Sequence, residues 1–91
     1  MKVTNVRITL VEGKEKLKAF VDVTFDDCFV VHGMKVIEGE QGYFVAMPNK
    51  KGKDGKFRDI AHPINVDMRE ELEEDILVRY EDAEKKAEKT G

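Results

Sequence analysis

The residues best equipped for chemistry in this chain gather between positions 49 and 58. Lys50, Lys51, Lys53, Lys56 and Arg58 are interspersed with Gly52 and Gly55, and the eight residues Asn49–Lys56 hold four lysines. Ammonium groups at that density, on a glycine-rich segment between two apolar runs, suit phosphate binding. Each phosphate contact releases condensed counterions, so such binding weakens as salt rises. The same composition also describes a solvated loop whose lysines keep the protein soluble and blunt a sheet edge. Gly52-Lys53-Asp54-Gly55-Lys56 is not a nucleotide-cradling P-loop, lacking both its spacing and the Ser or Thr after the lysine.

Catalytic and metal chemistry find less support. His32 and His62 are the only histidines, Cys28 is the only cysteine and there is no serine at all. Cys28 and His32 have a ligand-like spacing, yet on a strand they reach a common metal poorly, and no fourth donor accompanies them. His62, just before Pro63, is placed to hydrogen-bond backbone at a turn. Arg58 and Asp59 alternate with apolar neighbours, so Arg58 can join the basic cluster while Asp59 can neutralise it. The expectation is a non-enzymatic protein with no metal, no cofactor and no small-molecule substrate.

The elements that must position these groups are legible as periodicities. Val6, Ile8 and Leu10 alternate with Arg7 and Thr9, and Leu17, Ala19, Val21, Val23 and Phe25 with Lys18, Asp22 and Thr24, the period of half-buried strands. Polar residues around Gly13 join them as a hairpin. Asp26-Asp27 signals a second turn. A third strand over 28–37 should bulge near Gly33, since glycine inside a strand pattern marks such sites. Gly39–Gly42 turns the chain into a fourth strand, 43–47, which Pro48 ends because proline donates no ladder hydrogen bond. A short fifth strand over 57–61 is expected at an edge. Phe44 is expected in the core, with Tyr43 left open between core and a stacking platform for bases, the other role weighed for Phe57.

From Asp67 onward Met68, Leu72, Ile76, Tyr80, Ala83 and Ala87 recur every three or four residues, a helical stripe. Asp67 with Glu70 resembles a capping box. Acidic side chains crowd the start of this helix and Lys85, Lys86 and Lys89 its end, matching the helix dipole. The fold class expected is α+β: a four- to five-stranded antiparallel meander followed by a C-terminal helix, with residues 1–82 as one domain and 83–91 as a charged, frayed tail.

At 91 residues the core is thin, so added burial through a homodimer, formed partly by strand pairing, is expected. The formal net charge of -3 conceals a polarised chain, with a basic segment followed by an acidic helix. A lone cysteine fits a reducing compartment. The alternating N-terminus lacks the apolar block of a signal peptide, and no apolar run approaches the length of a membrane span. A cytoplasmic protein that does not engage membranes is expected.

Four segments carry a resemblance to a known family: Phe29-Val30-Val31-His32, Gly42-Tyr43-Phe44-Val45-Ala46-Met47-Pro48, Phe57-Arg58-Asp59-Ile60 and His62-Pro63-Ile64-Asn65. In that order and spacing, the chain resembles the stage V sporulation protein G (SpoVG) family, the bacterial septation proteins, over roughly residues 1–80. The resemblance implies a regulator of septation and, in spore formers, of sporulation, binding DNA and in some members RNA. It also implies a role for Arg69, at a position like one near the helix start where some members use basic residues on DNA. Here Glu70, Glu71, Glu73, Glu74 and Asp75 surround Arg69, which shifts the expected contact set to Lys50, Lys51, Lys53, Lys56 and Arg58. The alternative is a protein-interaction module that docks through its acidic helix face or a sheet edge.

Overall fold

The computed structural model describes residues 1–90, with side chains described through Ala87. Strands β1 (Val3–Leu10), β2 (Leu17–Phe25), β3 (Phe29–Gly39) and β4 (Gly42–Ala46) form one antiparallel sheet in chain order. Strands β5 (Asn49–Lys51) and β6 (Phe57–Asp59) pair only with each other, and helix α1 (Val66–Thr90) ends the chain. The α+β meander expected from the alternation is the observed fold.

Local chemistry sets each reversal. Asp26 and Asp27 both have positive φ, 51° and 53°, and the Cys28 N–H donates to the Phe25 carbonyl at 3.1 Å. Two consecutive left-handed residues at the centre of this turn, within a three-residue connection, match the right-handed twist of the flanking strands. Aspartate tolerates that conformation better than most residues. The bulge expected near Gly33 is present: the β2–β3 register shifts between Val21↔Met34 and Val23↔Val31, and Gly33 has φ +88°.

One face of the sheet is covered and the other is open. Ala19, Val21, Val23 and Phe25 of β2, Met34 and Val36 of β3, Val6 and Val45 point inward and are buried. Against them α1 lays Leu72, Ile76 and Tyr80, all at 2% exposure or less, reaching from β1 to β4. Burying side chains of this size stabilises by about 1.5–3 kcal/mol each. Met68 and Ala83 of the stripe are half-buried and Ala87 is exposed. Of the tail expected over 83–91, the side chains of 88–90 and all of Gly91 lie outside the described residues.

Three expectations are corrected. Phe44 is 47% exposed, not core, because the β3–β4 register turns Val45 and Met47 inward and Phe44 outward. The fifth strand does not join the main sheet; β6 ends at Asp59 and pairs with residues read from sequence as a loop. The helix cap is Asn65 and not Asp67: Asn65 Oδ1 accepts the Met68 N–H at 2.7 Å, and its carbonyl accepts the Arg69 N–H at 3.2 Å. A side-chain oxygen three residues before an otherwise unpaired amide is the N-cap arrangement, contributing about 1 kcal/mol.

Candidate nucleic-acid interface

The basic segment is an ordered β-ribbon. Asn49↔Asp59, Lys50↔Arg58 and Lys51↔Phe57 are paired, so alternation puts Lys50 and Arg58 on one face and Lys51 with Phe57 on the other. The turn is made by Gly52-Lys53-Asp54-Gly55, with the Gly55 N–H donating to the Gly52 carbonyl at 3.1 Å and the Gly52 N–H to the Lys56 carbonyl at 2.8 Å. Gly55 has φ +82°, the left-handed residue that follows a type I turn in a three-residue hairpin. At its root the Ile60 N–H donates to the Pro48 carbonyl at 2.7 Å, tying both strands to the end of the body.

Inside the ribbon one carboxylate and one guanidinium neutralise each other. Arg58 donates through Nη2 to Asp54 Oδ2 at 2.7 Å and through Nη1 to Oδ1 at 3.3 Å, and the Lys56 N–H donates to Oδ1 at 3.1 Å. Gly52 makes room for this pair, since a Cβ there would lie 2.8 Å from Arg58 Nη1 and 3.0 Å from Asp54 Oδ1. The Arg58 guanidinium, and after it the Lys56 amide, holds the Asp54 carboxyl below its ordinary 3.8. A depressed value means that this carboxylate supports the ribbon above the unfolded-state value and loses its effect as pH falls through the lower folded one. In an NMR titration the Lys56 amide proton should therefore shift with a midpoint below 3.8. A midpoint at or above it would show that Arg58 does not hold the turn.

The four lysines are a different case. Lys50, Lys51, Lys53 and Lys56 are all exposed, and among the described residues the ion pairs are Lys18–Glu38, His32–Asp22, Arg58–Asp54 and Arg69–Glu73. Among the described residues no carboxylate forms an ion pair with them. Arg69 is exposed in the first turn of α1, 4.0 Å from Glu73, beside Met68. Met68 and Met47 line one apolar cavity, so the helix start and the ribbon root share one end of the molecule.

The other candidates have structural partners. His32 Nδ1–H donates to Asp22 at 2.9 Å and His62 Nδ1–H to the Pro63 carbonyl at 3.0 Å, the latter as the sequence suggested. Among the described residues no group of three or more His, Cys, Asp or Glu side chains gathers to hold a metal. Tyr43 meets Tyr80 edge-to-face, with ring centroids 5.4 Å apart. Burial, and then the Glu84 carboxylate to which it donates at 2.6 Å, raises the Tyr80 hydroxyl above its ordinary range. Among the described residues no helix is long and apolar enough to cross a membrane. Sequence reasoning missed the hold of Asp54 on Arg58, although a four-residue separation across Gly55 was a signal for a cross-turn pair.

Comparison with known proteins agrees with the resemblance. The family model described as SpoVG matches residues 1–82. Among similar proteins named "Putative septation protein SpoVG", the one from Acholeplasma laidlawii is 54% identical over 82 residues, covering 90% of this chain and 87% of its own. That from Caldicellulosiruptor saccharolyticus is 51% identical over 81 residues, covering 89% and 92%. That from Staphylococcus aureus is 49% identical over 84 residues, covering 92% and 84%.

Proposed function

The chain belongs to the SpoVG family, and from that premise we propose that it is a non-enzymatic, cytoplasmic regulator of septation that binds nucleic acid through its β5–β6 ribbon. The observation that carries the proposal is the set of four exposed lysines on a preformed ribbon, none paired with a carboxylate among the described residues. A ribbon already folded in the free protein spends little ordering entropy on binding, unlike a mobile loop. The four lysines contact phosphates and fix the protein on the strand, without reading bases. Arg58 braces the turn through Asp54, and Arg69 adds charge from the same end of the molecule. A second copy, set about a twofold axis, doubles the ribbon.

A gel-shift titration over a range of salt tests this. With four phosphate contacts, log K should fall against log[salt] with a slope of about -3.6, an affinity loss of roughly 150-fold between about 50 and 200 mM. A flat salt profile would instead favour docking on a protein partner, and an absence of retardation at low salt would end the proposal.

A further inference from the structure

The open face of the four-stranded sheet carries a second set of groups that the ribbon does not use. The register places Phe20, Lys35 and Ala46 in one row across β2, β3 and β4, and Leu17, Ile37 and Phe44 in the next. Phe20 is 44% exposed and Phe44 47%, unusual for aromatic rings with nothing laid over them. Phe44 does not stand away from the sheet. A Cβ on Gly39 would lie 3.1 and 3.2 Å from its Cε1 and Cδ1, so the ring leans over the glycine. Strand and residue spacings put Phe20 and Phe44 about 12 Å apart, too far for one base to cover both, so each ring can take its own. The charge of the face is weakly positive. Arg7 and Lys35 are its cations against one carboxylate among its strand residues, Asp22, which is the cross-strand neighbour of Arg7 and accepts from His32 at 2.9 Å. The acidic residues of α1 lie on the opposite side of the sheet. Lys50 is six residues beyond Phe44, at most about 21 Å along the chain, so a bound strand can meet both sites.

We infer that this open face is a binding site for single-stranded nucleic acid, with Phe20 and Phe44 stacking unpaired bases, Lys35 on β3 meeting the backbone between them and Arg7 on β1 meeting it beyond Phe20. The inference rests on the nucleic-acid reading of the ribbon and adds the kind of strand and the place where its bases lie. Aromatic rings on an open sheet are a sequence-tolerant platform, since every base has a π-face, and duplexes cannot use it because their bases are already stacked.

The test compares a labelled oligo-dT strand with a duplex of the same length, by fluorescence anisotropy at one salt concentration. The intact protein should bind both. Phe20→Ala with Phe44→Ala should lower single-strand affinity at least about 30-fold, from the usual loss per stacked base, and change duplex affinity little. Phe20→Leu with Phe44→Leu keeps apolar bulk, guards against a folding artefact and should still lose single-strand binding; Phe20→Tyr with Phe44→Tyr should retain it. Unchanged single-strand binding in the alanine or leucine pair overturns the inference and leaves the ribbon reading intact, as does duplex binding without oligo-dT binding in the intact protein. Binding of neither probe removes both. If sedimentation shows that the alanine pair turns a dimer into monomers, the face belongs to a second copy and the inference is likewise overturned.

Discussion

A variant with Lys50, Lys51, Lys53 and Lys56 all replaced by alanine should bind duplex DNA about a thousandfold more weakly near physiological salt, and the remaining affinity should depend little on salt. The magnitude follows from counterion release: each phosphate contact gives roughly 0.7 decade at about 0.15 M, and four give about three. Nothing comparable should happen to stability. All four side chains are exposed and outside the ion pairs seen among the described residues, and such surface changes usually stay within about 0.5 kcal/mol. Removing four like charges from a short ribbon also relieves repulsion within it. The alternation of the ribbon makes the single substitutions informative. Lys50 shares its face with Arg58, Lys51 with Phe57, and Lys53 and Lys56 lie at the turn. If the ribbon enters a groove, which in B-form DNA is wide enough for two strands, all four changes should cost about fivefold each. If it lies flat on the backbone, Lys50→Ala and Lys51→Ala should differ. Arginine at all four positions keeps the charge and should keep the salt slope; binding unaltered by the alanines would take the ribbon out of the mechanism.

What the sequence disclosed follows the range over which each feature is encoded. β1 alternates from Val6 to Leu10 and β2 from Ala19 to Phe25 but for the outward Phe20, and the Leu72, Ile76, Tyr80 row recurs every four residues, so both are written locally and both were legible. Tyr43-Phe44-Val45-Ala46-Met47 is apolar throughout, and an unbroken run has no visible inner face. Its parity is set by pairing with Val36 and Ile37 on β3, a non-local fact. Asn49-Lys50-Lys51 has no hydrophobic pattern and low strand propensity, so it read as a loop. It becomes a strand because the Gly52–Gly55 turn and the Asp54–Arg58 pair bring Phe57–Asp59 alongside it. The cap was misplaced by two residues because Asn65 and Asp67 are both competent capping types, and only the hydrogen bond to Met68 N–H separates them. The cluster of lysines was legible as composition. Their freedom was not, since it depends on Asp54 choosing Arg58 in three dimensions.

The largest loss of stability should come from Ile76→Ala, at about 2–5 kcal/mol. Ile76 has no exposed surface and sits between Leu72 and Tyr80, at 1% and 2% exposure, in the row that seals α1 on the sheet. A chain of 91 residues has only about 5–14 kcal/mol in total to lose. At roughly 5 °C per kcal/mol for a chain of this length, the melting temperature should fall by about 10–25 °C. The helix has little of its own to resist this. Its cap contributes about 1 kcal/mol, and Glu70, Glu73 and Glu74 set like charges three and four residues apart, which disfavours an isolated helix. Docking of the apolar row is what holds it, so helix and sheet signals should melt together. Val78 is the control, two residues away on the same helix but 52% exposed, and Val78→Ala should stay within about 0.5 kcal/mol. The ribbon shares no buried residue with this row, so below its melting point the Ile76→Ala protein should bind nucleic acid with unchanged affinity and salt slope. Equal losses at 76 and 78 in a thermal circular dichroism series would mean that α1 is not docked through this row. In that case the sheet would lose the cover that keeps its inner face dry, and with it the rigid base from which the ribbon projects.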